Sequence, residues 1–244
     1  MRSRHAPKLV AAAKSSEQIR ELRALYTQTL KGRRCVVIGS APSAARVELR
    51  DDDAVFCVNG SGWIADKWNY PSPDLTVIGA GSLKTTTEVT RATIESLAGK
   101  QTKGLLLVAD EAELSSACHI LSEIGYQFDS MNAINKIQRA AIFDLAWSTS
   151  LPVGPKVRAR DRPSNGLFAA SIAILAGVSE LIMTGFSLSQ GHAYMSGATE
   201  RRHLDSDLEL LRRAGLLGLK VETTSAELAK TANIMHHQVS PASG

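Results

Sequence analysis

Six short runs constrain this chain more than anything else in it. Residues 35–38, 54–58, 75–78, 104–109 and 180–184 are nearly unbroken stretches of apolar side chains, and Lys220-Val221-Glu222 reads as a last short strand. They are too short for core helices and lack the period-two alternation of a half-exposed strand. They therefore predict strands buried on both faces of a parallel sheet. Helical patterning fills several of the intervals, at 85–98, 111–124, 168–176 and 204–214. Strand alternating with helix implies an α/β fold with an open, doubly wound, mostly parallel, Rossmann-like sheet.

The remaining organisation follows from what surrounds those runs. Residues 1–30 read as a basic, alanine-rich segment, frayed over its first dozen residues. It leads into an amphipathic helix over 16–30, with Ile19, Leu22, Leu25, Tyr26 and Leu30 on one face. Residues 31–235 read as a single α/β domain and 236–244 as a polar tail in which His236 and His237 look bland. The stretch 126–163 has the least regular pattern, and a small lid is expected there. A chain of 244 residues is long enough to bury a sizeable core in such a domain.

Charge and cysteine usage exclude some classes. The formal net charge of +4 favours anionic partners such as nucleotides, phosphorylated glycans or acidic lipid surfaces. No aromatic-plus-basic groove, helix-turn-helix spacing or finger motif points to nucleic acid. Cys35, Cys57 and Cys118 form no CxxC pair, so neither a zinc site nor a disulfide framework is expected. The charged N-terminus lacks the apolar region of a secretory signal, and no run reaches the roughly 20 apolar residues of a membrane span. A cytoplasmic, reducing setting is expected.

Ligand loops in open sheets lie at the carboxyl ends of the strands, so the residues after each run carry the functional signal. Gly39-Ser40-Ala41-Pro42-Ser43 follows the first run; its amides and the hydroxyls of Ser40 and Ser43 can meet a phosphate, and Ser43 is placed to cap a following helix. The motif is neither GxGxxG nor GxxxxGK[ST], which weakens both of those nucleotide classes. Asn59 ends the second strand as an Asn-Gly turn, yet it offers a donor and an acceptor where a dinucleotide enzyme usually has an acid. Arg162-Pro163-Ser164-Asn165-Gly166 opens the alanine-rich helix, with Ser164 or Asn165 as its cap and the helix N-terminus as an anion site. Gly185 leaves the strand at 180–184, followed by His192 and Tyr194. His203 precedes an acidic helix start where Asp205 or Asp207 can orient a ring, and an imidazole is the natural base for an acceptor hydroxyl. Asp51-Asp52-Asp53 imitates a metal-binding DxD motif but precedes its strand, at the edge away from the ligand loops. A solvated loop is expected there.

Order and spacing together resemble glycosyltransferase family 42, the bacterial CMP-sialic-acid-dependent sialyltransferases. Residues 36–43 are similar to the family's G-N-G-P-S nucleotide loop, and 53–59 to its second strand ending in Asn. Residues 162–166, the helix after them and 181–186 resemble its R-x-T-S-G, helix and strand-Gly unit. His203 falls where the family has its catalytic histidine. The resemblance implies a GT-A-variant fold and an inverting, metal-independent transfer of sialic acid or a similar acidic sugar from a CMP-sugar. It implies nucleotide contacts from Gly39, Ser40, Pro42, Ser43, Asn59, Ser164, Asn165, Gly166 and Gly185, with His203 as general base and no cofactor beyond the donor. The partners are then a nucleotide-sugar donor and a glycan or glycolipid acceptor; a peripheral contact at the inner face of the membrane and a homo-oligomer stay open.

The departures are specific. Ser40 stands for the family's loop Asn, and Ser164-Asn165 for Thr-Ser. The family's pair of tyrosines after the strand-Gly is replaced by Phe186-Ser187-Leu188. Only Tyr194 offers a phenol, so stabilising the departing phosphate falls to Tyr194, His192 or Arg201-Arg202. Three alternatives use the same fold: a diphosphokinase-like phosphotransferase needing a metal and a carboxylate cluster, an NAD(P) oxidoreductase lacking its glycine fingerprint, and a catalytically inactive nucleotide-sugar-binding protein.

Overall fold

The computed structural model describes residues 6–149, 162–193 and 203–239, with side chains from residue 16 onward. Eight strands form one sheet in the order β5-β4-β3-β2-β1-β6-β7-β8. They are β1 (Arg34–Ile38), β2 (Ala54–Val58), β3 (Leu75–Gly79), β4 (Gln101–Val108), β5 (Gln127–Ile134), β6 (Glu180–Thr184), β7 (Val221–Thr223) and β8 (Met235–His236). Every pairing is parallel. The helices are α1 (Ala6–Leu30), α2 (Gly62–Lys67), α3 (Glu88–Leu97), α4 (Glu111–Glu123), α5 (Lys136–Trp147), α6 (Asn165–Ala176), α7 (Leu204–Leu216) and α8 (Ala226–Ala232).

The apolar runs become central strands because both faces of the sheet are covered. Alternate residues of β1 go to opposite sides: Cys35 and Val37 join the cluster of α1, α5, α6, α7 and α8, while Val36 and Ile38 join that of α2. Further along the second face, Ile78, Leu105 and Leu107 pack with α3 and α4. Helix α6 lies against β1, β2 and β3. It is apolar around most of its circumference because α1 and α5 cover its outer side. Its Phe168 meets Phe143 of α5 with ring centroids 5.4 Å apart. Trp147 donates Nε1–H to Ser171 Oγ at 2.7 Å, satisfying the indole deep in the core. An indole N–H left unpaired there would cost about 1–3 kcal/mol.

Three local readings change. The first helix begins at Ala6 rather than near residue 16, and Leu25 is exposed instead of sharing the buried face of Ile19, Leu22 and Leu30. The expected lid region begins as ordinary framework: β5 extends the sheet, and α5 starts on a capping box. Asn135 Oδ1 accepts from the amides of Ile137 (2.9 Å) and Gln138 (3.0 Å), while Gln138 Oε1 accepts from Asn135 N (2.9 Å). The exposed pattern of an edge strand made this stretch look irregular; residues 150–161 lie outside the described ones. The polar tail contributes His236 to β8, and His237 Nδ1 meets Glu222 Oε2 at 2.7 Å.

The amino edge is held by a buried charge pair. Arg34 Nε donates to Asp53 Oδ1 at 2.8 Å and its Nη2 to Asp53 Oδ2, and Arg50 N also donates to Asp53 Oδ2 at 2.8 Å. Asp53 is thus no solvated loop residue, although Asp51 and Asp52 are exposed. Removing one partner strands the other charge, so Asp53→Ala is expected to lower unfolding free energy by about 3–5 kcal/mol in denaturant titration. Cys35 and Cys57 are fully buried, and burial pushes the Cys57 thiol up to about 12. A thiol reagent should therefore modify the half-exposed Cys118 in the native protein and reach the other two only on unfolding.

Candidate functional site

Strand order reverses between β1, whose sequence neighbours run one way across the sheet, and β6, which starts the other half. Connections diverge there and open a crevice at the carboxyl edge. Two glycines make the crevice floor. Gly39 N donates to Thr184 O (2.7 Å) and Ala41 N to Gly185 O (2.8 Å). A Cβ on Gly39 would lie 2.4 Å from Gly185 O, and one on Gly185 would lie 2.5 Å from Gly39 O. Gly185 also has φ +71°, which disfavours any side chain.

The loop above this floor joins two predicted residues. Ser40 Oγ and His192 Nδ1 are 2.5 Å apart, and Ala193 N donates to Ser40 O at 2.7 Å. The β6 loop is therefore tied to the β1 loop. Pro42 and Ser43 are exposed. Ser43 caps no helix, because residues 45–50 run irregularly toward β2. The helix N-terminus predicted after this loop is absent, and the anion-binding argument passes to α6.

Asn59 is the second element. It leaves β2 with φ +48° and opens a single 3-10 turn, so the Asn-Gly turn and the polar site coincide in one residue. Its Oδ1 accepts from Asn165 Nδ2 (3.1 Å), Gly79 N (3.3 Å) and Ser82 Oγ (3.4 Å). Asn165 is the first residue of α6; Ser164 is the cap, accepting from Leu167 N at 3.2 Å. Gly166 passes directly over Phe186, where a Cβ would come within 2.2 Å of the ring. Phe186 is itself buried.

His203 sits at the cap of α7. Its Nδ1 lies 2.6 Å from the carbonyl oxygen of Arg162. A carbonyl can only accept, so in the neutral ring Nδ1 carries the proton and the lone pair is on Nε2, the tautomer a general base needs. The buried Asp207 accepts from Ser164 N at 2.7 Å through Oδ1, and its own amide donates to His203 O at 2.9 Å. The segment 162–165 thus ties His203 and α7 at one end to Asn59 at the other. Asp205 is exposed. Tyr194, Arg201 and Arg202 lie outside the described residues.

Sequence reasoning missed two features of this edge. Asp110 and Glu113, after β4, meet Lys136 and Lys84; hydrogen bonds from those ammonium groups hold both carboxyls below their usual range. The other is Arg139, in the first turn of α5, whose Nη2 donates to Pro163 O at 2.5 Å and approaches Asn165 Oδ1 at 3.4 Å. Neither stands in a recognisable spacing, because each pairing spans two dozen residues or more. Away from this edge, Glu180, Glu222 and His237 bring potential ligand atoms within 4.8 Å of one another. The Lys220 ammonium lies 3.2 Å from Glu180 and 3.8 Å from Glu222, which makes the group an ion-pair network.

No family model matches the chain, and no curated protein matches it in sequence. Solved structures do share its fold. The monofunctional α-2,3-sialyltransferase Cst-I of Campylobacter jejuni is 10% identical with a TM-score of 0.52, over 86% of this chain and 83% of its own. The sialyltransferase CstII of the same organism, solved with the substrate analogue CMP-3FNeuAc, is 13% identical with a TM-score of 0.52, over 84% and 86%. CstII with a trisaccharide acceptor and CMP is 13% identical with a TM-score of 0.51, over the same shares. The expected α/β class is therefore correct, with a sheet that is parallel throughout. Among the described residues no helix is long and apolar enough to cross a membrane.

The Ser40–His192 contact is directly testable. Ser40→Ala should change the His192 tautomer balance, read from its ring-nitrogen shifts in NMR, while the His203 signals stay in place.

Proposed function

We propose that this protein is a glycosyltransferase of the sialyltransferase type. It transfers an acidic sugar, sialic acid or a close relative, from a CMP-activated donor to a glycan or glycolipid hydroxyl. One observation carries the reading. The segment 162–165 binds Asn59 through Asn165 and binds His203 through the carbonyl of Arg162, so a polar cradle and an oriented imidazole share one support. The fold held in common with the Campylobacter sialyltransferases adds to it, since those proteins were solved with CMP, a CMP-sugar analogue and an acceptor.

In this reading Ser40, Asn59, Ser164, Asn165 and the N-terminus of α6 hold the nucleotide, with Gly39, Gly166 and Gly185 allowing the loops to approach it closely. Pro42 and Ser43 contribute from the exposed end of the first loop. The acceptor oxygen attacks the anomeric carbon opposite the phosphate as Nε2 of His203 takes its proton. The bond from that carbon to the phosphate oxygen breaks, the centre inverts, and CMP leaves with the electron pair. The partial positive charge at the start of α6 favours the departing anion. His192, held by Ser40, supplies a further donor to that phosphate, and Tyr194 is the phenol assigned to the same task. No metal or cofactor is needed for these steps.

Thermal-shift titration with CMP, CDP, UMP, UDP, GDP, NAD and ATP, with and without EDTA, tests the donor. Stabilisation selective for CMP and indifferent to EDTA is expected; preference for another nucleotide, or dependence on a metal, would refute it. His203→Ala should reduce turnover by about 10²–10⁴-fold, the usual worth of a general base, with nucleotide affinity nearly intact. Asn59→Ala should do the opposite, weakening nucleotide binding first.

A further inference from the structure

Asn165 has a carboxamide with one accepting and one donating end, and its two neighbours leave it no choice of orientation. Arg139 can only donate, so the end facing its Nη2 at 3.4 Å must be Oδ1. Nδ2 is then turned to Asn59 Oδ1 at 3.1 Å. Gly79 N, a backbone donor that cannot rotate, points at the same oxygen. The Asn59 amide is thereby fixed with its oxygen facing the protein, and Nδ2 is the end it has for a ligand.

Arg139 is built to impose this order. Its guanidinium carbon lies 5.0 Å from the ring centre of Phe143 and 5.4 Å from that of Phe168, so two aromatic faces hold the planar group in place. Nη2 also donates to Pro163 O at 2.5 Å, which fixes the chain just before the α6 cap. Nε is shielded from solvent and has no hydrogen-bond partner among the described residues. Burial pushes the guanidinium down to about 10, partly offset by the nearby Asp207 carboxylate, so it is charged at neutral pH. Keeping a cation there is costly, and a neutral side chain of similar size would fill the space more cheaply. Stability of the fold does not account for this arginine.

We propose that Arg139 is a positioning residue of the donor site, setting through Asn165 the orientation of the Asn59 amide so that the site offers Nδ2–H to the nucleotide. This rests on the donor reading above and deepens it: the site reads a hydrogen-bond acceptor of the ligand at Asn59. A ligand atom that carries a proton there meets a second donor and is rejected.

The test combines Arg139→Met, Arg139→Lys and Asn165→Ala with CMP titration and side-chain amide NMR of Asn59. Arg139→Met should raise the dissociation constant for CMP about tenfold, the equivalent of one hydrogen bond to a charged group. It should also shift the Asn59 carboxamide signals, and Arg139→Lys should recover part of both effects. In an Asn165→Ala background the further loss from Arg139→Met should largely vanish, because the two act in series. Unchanged CMP affinity and unchanged Asn59 signals in Arg139→Met would overturn the proposal, as would additive effects in the double variant. Should Arg139→Met fail to fold, Arg139→Lys carries the same test, with smaller shifts in the same direction expected and none overturning it. If the unaltered protein binds no CMP, the donor reading falls while the Asn59 signals still decide the relay.

Discussion

The structure turns on the approach of Gly39 to Gly185. Their backbones come close enough that a single methyl group on either would collide with the other's carbonyl oxygen. That approach lets β1 and β6 pair up to their last residues while their loops cross immediately beyond, at the place where the sheet's order reverses. Everything polar at the carboxyl edge is arranged around this crossing. Ser40 belongs to one loop and His192 to the other. The ring of Phe186, one residue after Gly185, is the surface on which Gly166 and the start of α6 rest. Widening the crossing by even one methyl would separate the Ser40 loop from the α6 loop and leave the edge without a defined site.

The two edges of the sheet use charge differently. At the amino edge, Arg34 and Asp53 neutralise each other in a buried pair, and the hydrogen bonds Arg34 donates to Asp53 raise the guanidinium further. That arrangement leaves no charge to offer a ligand. At the carboxyl edge, Lys84 and Lys136 meet Asp110 and Glu113, whereas Arg139 is held by carbonyl and amide oxygens and two aromatic faces. A cation without a carboxylate at hydrogen-bond distance keeps its electrostatic influence for what enters the crevice, since desolvated charges interact strongly.

Much of the sheet was legible because its signal is local. The central strands are apolar on both sides, so each appears in the sequence as an unbroken run whatever its neighbours do. β5 was not legible for the same reason reversed: at the sheet's edge, with most of its residues exposed, it shows neither a run nor a clean alternation. β8, two residues long, lies below the length at which any pattern exists. At the site, residues that follow a strand directly, such as Gly39, Ser40, Asn59 and Gly185, could be found from position alone. Arg139 could not, because nothing in Lys-Ile-Gln-Arg distinguishes it from an ordinary exposed helical arginine. Its role is set by where α5 packs, and that depends on Phe143 and Trp147 reaching α6.

At 10–14% identity, what this chain shares with the Campylobacter sialyltransferases is the fold, and the side chains on it are free to differ. The aromatic after the strand-Gly illustrates the separation. In this chain Phe186 faces inward under Gly166 and Gly39, so its lack of a hydroxyl reflects burial. In the donor reading proposed above, a group for the departing phosphate comes from beyond residue 186, and His192, anchored by Ser40, is the first ionisable side chain of that loop.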